Sequence, residues 1–419
     1  MREMRDSGIE WVGAIPAAWG VHRIASHFQE IKEKNTANAY SNALQFKMGK
    51  IIAKPQKWDE DETNETYSAY TVVHPNTIMI NGLNLEFDFV TQRVARVECN
   101  GIITSAYIAL SPRDDINAEY ICYLLKSYDA CRAFHSMGRG LRKILSYSEL
   151  KNKPIVVPPL AEQERIAAFL DAQCAEIDTV LEKTRASIEE YKKLKQAVIT
   201  QAVTKGIRGD RPMKNSGIEW IGTCPLNWTV CRIKNVIFPQ EKEVLPDDEI
   251  ITCFRDGEVT LRKNRREDGF TVSFTEHGYH GVDKGDLVIH GMDAFAGAIG
   301  CSDSRGKTTP VVHTCKTAGN NRFFMYFLRS MAYGNILMDL SNGVRIRSSD
   351  FRNFAKLGVF GAVMPPLEEQ NEIVDYIDGI VIQMDRLIQK KENLLTEIEN
   401  YKKSLIYEYV TGKKEVLPL

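Results

Sequence analysis

Two stretches of the chain repeat apolar side chains at alternating steps of four and three residues. In residues 160–204 these positions are Ile177, Leu181, Thr184, Ile188, Tyr191, Lys195, Val198 and Ala202. The second stretch places matching side chains at Met384, Ile388, Lys391, Leu395, Ile398, Lys402, Leu405 and Tyr409, so that even the polar interruptions recur. This heptad spacing predicts two long α-helices, each with one apolar seam.

The predicted helices also share their ends. Each begins after a Pro-Pro pair with acidic residues in its first turn, which suits the positive end of the helix dipole, and Gly206 or Gly412 follows its last turn. About 45 residues, each rising ~1.5 Å, give a rod of roughly 65 Å. Because both seams lie in one chain, we favour an intramolecular antiparallel pair. A helix packed on its own domain and a homodimerising coiled coil are the open alternatives.

The helices belong to a longer internal repeat. Residues 7–24 and 216–233 are identical at eleven of eighteen positions, including both tryptophans. Residues 158–204 align without a gap on residues 365–411, starting from Pro-Pro-Leu-x-Glu-Gln. The chain therefore runs through a short segment, a variable region and a helix, and then through the same order again.

The variable regions, about 20–155 and 230–362, carry short apolar runs such as 77–80 and 286–289 between Gly, Asn and Asp turns. This pattern predicts an α+β fold: two globular mixed α/β domains joined by two long helices in an antiparallel coiled coil, with a pseudo-two-fold internal repeat. The two regions share little sequence, which suggests two different targets. The predicted domains are 1–157 and 209–363, each of which includes the repeat segment before it. The predicted spacer helices are 158–208 (central) and 364–419 (C-terminal).

Composition and charge narrow the class of protein. A chain of 419 residues with 43% hydrophobic content is long enough for two or three domains. The start lacks an apolar leader and no run of about 18 apolar residues occurs, which predicts a cytoplasmic protein with no membrane contact. The nine cysteines form no Cys-x-x-Cys pair and are expected to be reduced. With a net charge of −1, any nucleic-acid-binding surface must be local.

The repeated motifs support a family resemblance. The segment Ser-Gly-Ile-Glu-Trp-x-Gly-x-x-Pro-x-x-Trp and the helix start Pro-Pro-Leu-x-Glu-Gln-x-x-Ile, each in two copies, resemble the specificity subunit of type I restriction-modification systems over essentially the whole chain. The resemblance implies that each variable region is a target recognition domain for one half of a bipartite site in double-stranded DNA. It also implies that the paired helices set the half-site spacing and dock two methyltransferase subunits.

The same resemblance implies a non-catalytic chain within a larger assembly. Restriction subunits would complete the complex, and S-adenosylmethionine, ATP and Mg²⁺ would belong to the partner subunits. We therefore predict no cofactor and no metal site in this chain. Because modules that read one face of B-DNA sit about 34 Å apart per helical turn, a rigid helical spacer suits this task.

Basic side chains in both variable regions are the candidate DNA contacts. Glycine next to arginine lets the backbone approach a phosphate or a base edge while the guanidinium binds it. This favours the loop 138–143 and its counterpart 342–347, each of which holds one Gly-x-Arg element; the alternative is a tight turn whose arginine pairs with Glu149 or Asp350. The lysine series could equally be a solvated surface, and acidic residues dilute the denser basic cluster. The candidates in the first region are Lys47, Lys50, Lys54, Lys57, Arg139, Arg142 and Lys143, and those in the second are Arg255, Arg262, Lys263, Arg265, Arg266, Arg305, Lys307, Arg345 and Arg347.

Three candidate catalytic motifs depart from the patterns that their chemistry requires. Residues 300–308 resemble a phosphate-binding loop but place five residues, not four, between the glycines. His277 and His280 have a gap of two residues and glycine beside them, unlike metal-binding histidines on one helical face. Val157 and Met364 precede the Pro-Pro pairs where an adenine methyltransferase would carry Asn or Asp. An enzyme with an unfamiliar site and a purely structural coiled-coil adaptor are the competing hypotheses.

Overall fold

The protein is described here by a computed structural model that covers residues 2–47, 49–55, 66–89, 92–138, 143–265, 277–338 and 351–416. The chain divides into two compact units. Unit 1 combines Met1–Arg185 with Asn393–Leu419, and unit 2 is Ala186–Glu392. Each unit holds one variable region, the short segment before it and a part of each long helix. The domain limits given above stay a prediction.

Helices of two very different lengths occur in the described chain. The long helices contain 46 and 44 residues, and the others have at most 13. Short 3₁₀ turns lie at Ala133–Ser136, Ile233–Asn235, Arg262–Asn264 and Ala294–Ala296. The α-helices are α1 (Ile24–His27), α2 (Ala118–Ala130), α3 (Tyr147–Leu150), α4 (Leu160–Lys205), α5 (Asn321–Tyr333), α6 (Phe354–Gly358) and α7 (Leu367–Val410).

Unit 1 contains short antiparallel strands. A four-stranded sheet has the order β4-β11-β8-β9, and the pairs β1-β2, β3-β12, β5-β6 and β7-β10 surround it. The strands are β1 (Met4–Asp6), β2 (Ala14–Pro16), β3 (Gly20–Arg23), β4 (Phe28–Glu30), β5 (Leu44–Lys47), β6 (Lys50–Ala53), β7 (Thr71–Val73), β8 (Ile78–Ile80), β9 (Val94–Arg96), β10 (Gly101–Ile103), β11 (Ile108–Pro112) and β12 (Pro154–Val157).

Unit 2 repeats this arrangement. Its four-stranded sheet has the order β16-β23-β20-β21, with the pairs β13-β14, β15-β24, β17-β18 and β19-β22. The strands are β13 (Met213–Asn215), β14 (Thr223–Pro225), β15 (Thr229–Arg232), β16 (Ile237–Gln240), β17 (Ile251–Cys253), β18 (Val259–Leu261), β19 (His280–Val282), β20 (Leu287–His290), β21 (Ile299–Cys301), β22 (Gly306–Thr308), β23 (Val312–Thr317) and β24 (Gly361–Met364).

The two variable regions therefore share one sheet topology despite their dissimilar sequences. The apolar runs at 77–80 and 286–289 form β8 and β20, which occupy the same place in the two sheets. All three residues of β8 are buried, as are the first three of β20. The mixed α/β character predicted for these regions is confirmed.

The long helices begin and end where the sequence predicted. Helix α4 starts directly after its Pro-Pro pair with Glu162 in the first turn, and α7 does so with Glu368 and Glu369. Gly206 and Gly412, at φ of +77° and +72°, terminate them in the left-handed conformation that glycine adopts without a Cβ penalty. Every side chain of the two predicted seams is buried or partly buried.

Within each unit the helix segments run in opposite directions. In unit 1, Asp178 pairs with Lys402 at 2.6 Å and Arg185 with Glu399 at 2.6 Å, so one residue number falls as the other rises. In unit 2, Lys391 lies 5.6 Å from the Tyr191 ring centroid and the Lys195 ammonium lies 2.5 Å from the Asp385 carboxylate, so the direction is again opposite. Lys195 and Lys402 are equivalent polar interruptions of the seams, and each is neutralised by the equivalent aspartate.

Each unit has its own main hydrophobic core. In unit 1, Trp19 and α2 pack with Leu170 of α4 and Val410 of α7. In unit 2, Trp228 and α5 pack with Val203 of α4 and with the start of α7. Smaller clusters lie beneath the remaining strands. The helix segments are thus part of the core of the unit in which they lie.

Candidate nucleic-acid interface

The predicted lysine series lies largely on the β5–β6 hairpin. Lys47 and Lys50 are exposed and face each other across the hairpin, and Lys54 follows β6 with partial burial. Within the described part of the chain, none of these three side chains pairs with a carboxylate. Lys57 lies outside the described residues. The hairpin thus presents positive charge to solvent, which a phosphate contact requires.

The loop that contains the first Gly-x-Arg element is described only at its two ends. A Cβ added to Gly138 would lie 2.9 Å from the carbonyl carbon of Lys143, so glycine is required where the ends of the loop meet. Lys143 adopts φ of +42° and its ammonium contacts the Glu86 carboxylate at 2.7 Å. Arg139 and Arg142 lie outside the described residues, as do Arg345 and Arg347 of the second loop.

The dense basic cluster of unit 2 lines a groove of about 710 Å³ between β17, the end of β20 and the segment that joins β22 to β23. Arg255, Arg262 and Arg265 converge on it, and the Arg265 guanidinium lies over the Phe254 ring, 4.3 Å from its centroid. Burial lowers the pKa of His290, which also lines the groove, so this imidazole is neutral near pH 7. The groove therefore presents guanidinium donors, one of which lies over a buried aromatic ring.

Carboxylates partly neutralise this cluster. Arg255 pairs with Asp293 at 2.8 Å, and Arg265 pairs with Asp256 at 2.7 Å. Lys263, outside the groove lining, pairs with Glu249 at 2.6 Å. Because exposed pairs of this kind are worth at most about 1 kcal/mol, a phosphate can replace the carboxylate at little cost. Arg266 lies outside the described residues.

Arg305 acts as a brace inside unit 2. Its guanidinium donates to both carboxylate oxygens of Asp248, at 3.0 and 2.8 Å, and to Asp283 at 2.5 Å and the Glu243 carbonyl at 2.8 Å. These bonds use four of its five N–H groups. Lys307 lies on β22 with a partly buried side chain. The DNA contacts predicted for both residues stay predictions, and the contacts of Arg305 favour a structural role.

The contacts of Arg305 make unit 2 sensitive to acid. The Arg305 guanidinium lowers the pKa of Asp248, and Lys242 together with Arg305 lowers the pKa of Asp283. Both carboxylates therefore stabilise the folded state above their unfolded pKa of about 4, and this stabilisation is lost as pH falls through the lowered folded pKa. We expect Arg305→Met to lower Tm most near neutral pH and progressively less below about pH 4. Thermal melts across pH check this, and a pH-independent difference would contradict it.

The repeated motifs build one junction in each unit. The indole of Trp19 donates to Glu162 at 3.0 Å, and the indole of Trp228 donates to Glu369 at 3.0 Å. Both tryptophans are almost wholly buried. The repeated glutamate therefore ties the first turn of each long helix to the short segment that precedes the variable region.

The glutamine of the same motif ties each long helix to the variable region itself. Gln163 accepts a hydrogen bond from the backbone N–H of Asn117 at 2.9 Å and donates to the carbonyl of the first proline in its Pro-Pro pair at 2.9 Å. Gln370 makes the same two bonds in unit 2, at 2.8 Å each, with Asn320 as the donor. Since Asn117 and Asn320 cap α2 and α5, the glutamine fixes where each of these helices begins.

Comparison with known proteins finds similarity to one family. Residues 99–190 match the model of the type I restriction modification DNA specificity domain. Along nearly its whole length the chain is 22% identical to the putative type I restriction enzyme MjaX specificity subunit of Methanocaldococcus jannaschii, covering 97% of this chain and 96% of that protein. This chain is similar to type I specificity subunits. The resemblance inferred from the repeated motifs is thereby confirmed.

Further proteins of the same description are similar to this chain. The EcoBI specificity subunit of Escherichia coli is 23% identical over 65% of this chain and 60% of its own length. A chain from the structure solved as the structural basis of complex assembly and conformational transition of the type I R-M system has a TM-score of 0.68 at 14% identity. That match covers 96% of this chain and 99% of the other, and it shows a shared fold.

The specificity-domain match includes the loop ends at Gly138 and Lys143 and the Pro-Pro-Leu-x-Glu-Gln motif of unit 1. Within the described chain, no group of three His, Cys, Asp or Glu side chains is arranged to hold a metal ion. None of the described helices has the length and apolar character that crossing a bilayer requires. The predicted contact residues stay predictions individually.

Sequence reasoning missed one feature of this surface, the loop 81–89 that follows β8. It carries Phe87, which is 76% exposed, and Phe89, which is 56% exposed. Its backbone contacts the segment after the Gly-x-Arg loop, because Leu145 N donates to the Gly82 carbonyl at 2.9 Å. The sequence signals for this loop and its counterpart are Gly82 after β8 and Gly291 after β20. Neither position has room for a Cβ.

Proposed function

We propose that this chain is the DNA sequence-recognition subunit of a type I restriction-modification complex and performs no catalysis itself. Each variable region is a target recognition domain that reads one half of a bipartite site. The observation that carries the proposal is that one fold occurs twice with different basic surfaces: a lysine hairpin in unit 1 and an arginine groove in unit 2. One fold with two surfaces suits two different half-sites.

We assign two roles to the long helices. They set the spacing of the half-sites and they dock two methyltransferase subunits. In this proposal they form one antiparallel coiled coil, which is supported by the equivalent pairs Asp178–Lys402 and Lys195–Asp385. Large apolar side chains also point away from the seams into solvent, where a partner protein can cover them. These exposed side chains are Val180, Leu194, Ile382, Leu387, Leu394 and Tyr401.

The chemistry belongs to the partners of this chain. Methyl transfer would use S-adenosylmethionine in the methyltransferase subunits, and restriction subunits would use ATP and Mg²⁺ for translocation and cleavage. The names of the relatives support this division, since all are specificity subunits. We place the assembled complex in the cytoplasm.

The proposal is tested by co-expressing this chain with its methyltransferase partner in a host that lacks adenine methylation. We expect N6-methyladenine in one split motif when both are present, and none when the methyltransferase is expressed alone. Single-molecule sequencing of the host DNA measures this and reveals the target. Modification that does not depend on this chain would contradict the proposal and favour the structural adaptor. Modification by this chain alone would favour the enzyme hypothesis.

A further inference from the structure

The loop 81–89 presents two aromatic rings to solvent. Phe87 is 76% exposed and Phe89 is 56% exposed, the highest exposures among the described large apolar side chains of the first variable region. A single exposed apolar residue needs no explanation, but two large rings on one short loop mark a contact surface. Among the described residues, Phe87 has no aromatic or cationic partner that covers its ring.

A wholly buried arginine holds this loop in shape. The side chain of Arg93 is 0% exposed, and its guanidinium donates to the backbone carbonyls of Asn81 at 3.1 Å, Leu83 at 2.7 Å and Asp88 at 2.7 Å. Burying a guanidinium is costly unless its hydrogen bonds are satisfied. Three bonds from its terminal nitrogens fix the backbone on both sides of Phe87, while the buried Nε has no hydrogen-bond partner. The exposure of Phe87 is therefore imposed by the loop conformation.

A cationic and aromatic stack supports the second ring. The Phe89 ring lies parallel to the His135 ring, with centroids 5.1 Å apart and an interplanar angle of 8°. The Arg132 guanidinium lies 5.1 Å from the Phe89 centroid, at a distance typical of a cation–π contact. His135 also bonds to the Asp88 carbonyl at 3.2 Å. Phe89 is therefore held in place by its neighbours while Phe87 is available to contact a ligand.

The charges around Phe87 suit a polyanionic ligand. The two acids that flank it are paired: Glu86 contacts Lys143 at 2.7 Å, and Asp88 lies 3.6 Å from Arg93. The loop also contacts one end of the Gly-x-Arg loop, because Leu85 N donates to the Lys143 carbonyl at 3.2 Å. Because both acids are paired, phosphates near Phe87 meet less repulsion than from free carboxylates.

The corresponding loop of unit 2 differs in the side chain it presents. It connects β20 to β21, and Phe351 N donates to the Gly291 carbonyl at 2.7 Å, as Leu145 N does to Gly82 in unit 1. Its exposed apolar residue is Met292, at 43%. The backbone position is thus shared, and the exposed side chain is specific to each unit.

We propose that Phe87 packs against nucleobases of double-stranded DNA in the half-site read by unit 1, on a loop whose backbone Arg93 holds in place. This inference rests on the proposed function. An exposed ring beside cations is the combination by which proteins contact a thymine methyl group or wedge into a base step while phosphates bind nearby. Phe87 then contributes affinity and selectivity to one half-site only.

The test measures DNA affinity of the assembled complex with its methyltransferase subunits, on a duplex that contains the methylated motif. We expect Phe87→Ala to raise Kd by about ten-fold, because alanine has no ring to pack against the bases. The dependence of log Kd on log salt is expected to keep its slope, since phenylalanine neutralises no phosphate. The double variant Lys47→Gln/Lys50→Gln is expected to reduce that slope by about 1 for each phosphate that the removed ammonium group had neutralised.

Two control variants and two further measurements make the result specific. Phe238→Ala removes a 42% exposed phenylalanine of unit 2 and is expected to leave Kd unchanged. Phe87→Trp keeps a ring at the position and is expected to retain most of the affinity, which rules out a folding defect. Thermal melts of all variants are expected to coincide with the wild type. Photo-cross-linking to 5-iodouracil placed through the half-site is expected to label the peptide that contains Phe87.

The outcomes separate this inference from the proposed function. If the wild-type complex methylates a split motif and Phe87→Ala leaves its Kd unchanged without a cross-link at Phe87, only the base contact is wrong. If Phe87→Ala weakens assembly with the methyltransferase in the absence of DNA, the ring is a protein contact and the inference is overturned. If wild-type methylation does not depend on this chain, the proposed function itself fails.

Discussion

Replacing Trp228 by alanine is expected to lower the free energy of unfolding of unit 2 by about 3–5 kcal/mol. The side chain is 1% exposed, and its indole donates to Glu369, whose side chain is 2% exposed. The Arg211 guanidinium pairs with the same carboxylate at 2.5 Å and lies over the Trp228 ring. Alanine therefore leaves a cavity and removes one donor from a buried carboxylate.

Hydrogen exchange of β24 and α5, together with thermal melts, measures this loss. Trp228→Phe keeps most of the ring but lacks the indole N–H, and is expected to cost about 1–3 kcal/mol. Leu226→Ala, at a position that is 58% exposed, is the matched control and is expected to change stability by less than about 0.5 kcal/mol. A Trp228→Ala protein as stable as the Leu226→Ala protein would show that the junction does not anchor α7.

The repeated helices could be predicted from sequence because the information that defines them is local. Seam spacing, the Pro-Pro starts and the stop glycines Gly206 and Gly412 act within a few residues of one another. The polar positions in the seams could also be seen in the sequence, but the reason for them could not. Lys195 and Lys402 each meet an aspartate that lies 190 or 224 residues away along the chain.

The common fold of the variable regions could not be predicted in the same way. Their strands are three to six residues long, and the order β4-β11-β8-β9 joins segments that are far apart in sequence. Buried strands such as β8 and β20 need only apolar side chains of suitable size, so similarity in sequence is lost while the topology is kept. The three-dimensional arrangement shows the second repeat that the sequence conceals.

The candidate contacts were predicted by residue type, and the structure separates them by environment. Lys47 and Lys50 face solvent without a carboxylate partner among the described residues, whereas Arg305 is held by Asp248 and Asp283. Those acids lie 57 and 22 residues from Arg305, so sequence neighbours gave no sign of them. Phe87 was missed because an aromatic between two acids carries no basic signal, and Gly82 marks a close backbone approach but not an exposed ring.

Replacing Arg93 by methionine is expected to destabilise unit 1 by about 3 kcal/mol or more, since three backbone carbonyls lose their buried donor. The effect should be concentrated in the loop 81–89, whose amide hydrogen exchange is expected to rise above that of the neighbouring strands. Arg96→Met is the matched control on β9. Arg96 is partly exposed, with its guanidinium 3.3 Å from Glu119, so its replacement should cost no more than about 1 kcal/mol.

Arg93→Met also tests whether the loop 81–89 affects DNA binding through its shape or through its charge. Arg93 is buried, so under conditions where the Arg93→Met protein remains folded, the variant weakens DNA binding through the position of Phe87 and its neighbours. We therefore expect a higher Kd with an unchanged salt slope, as for Phe87→Ala, and no additional rise in Kd when the two variants are combined. Independent, additive effects in the double variant would mean that Arg93 supports the fold but does not position the exposed ring.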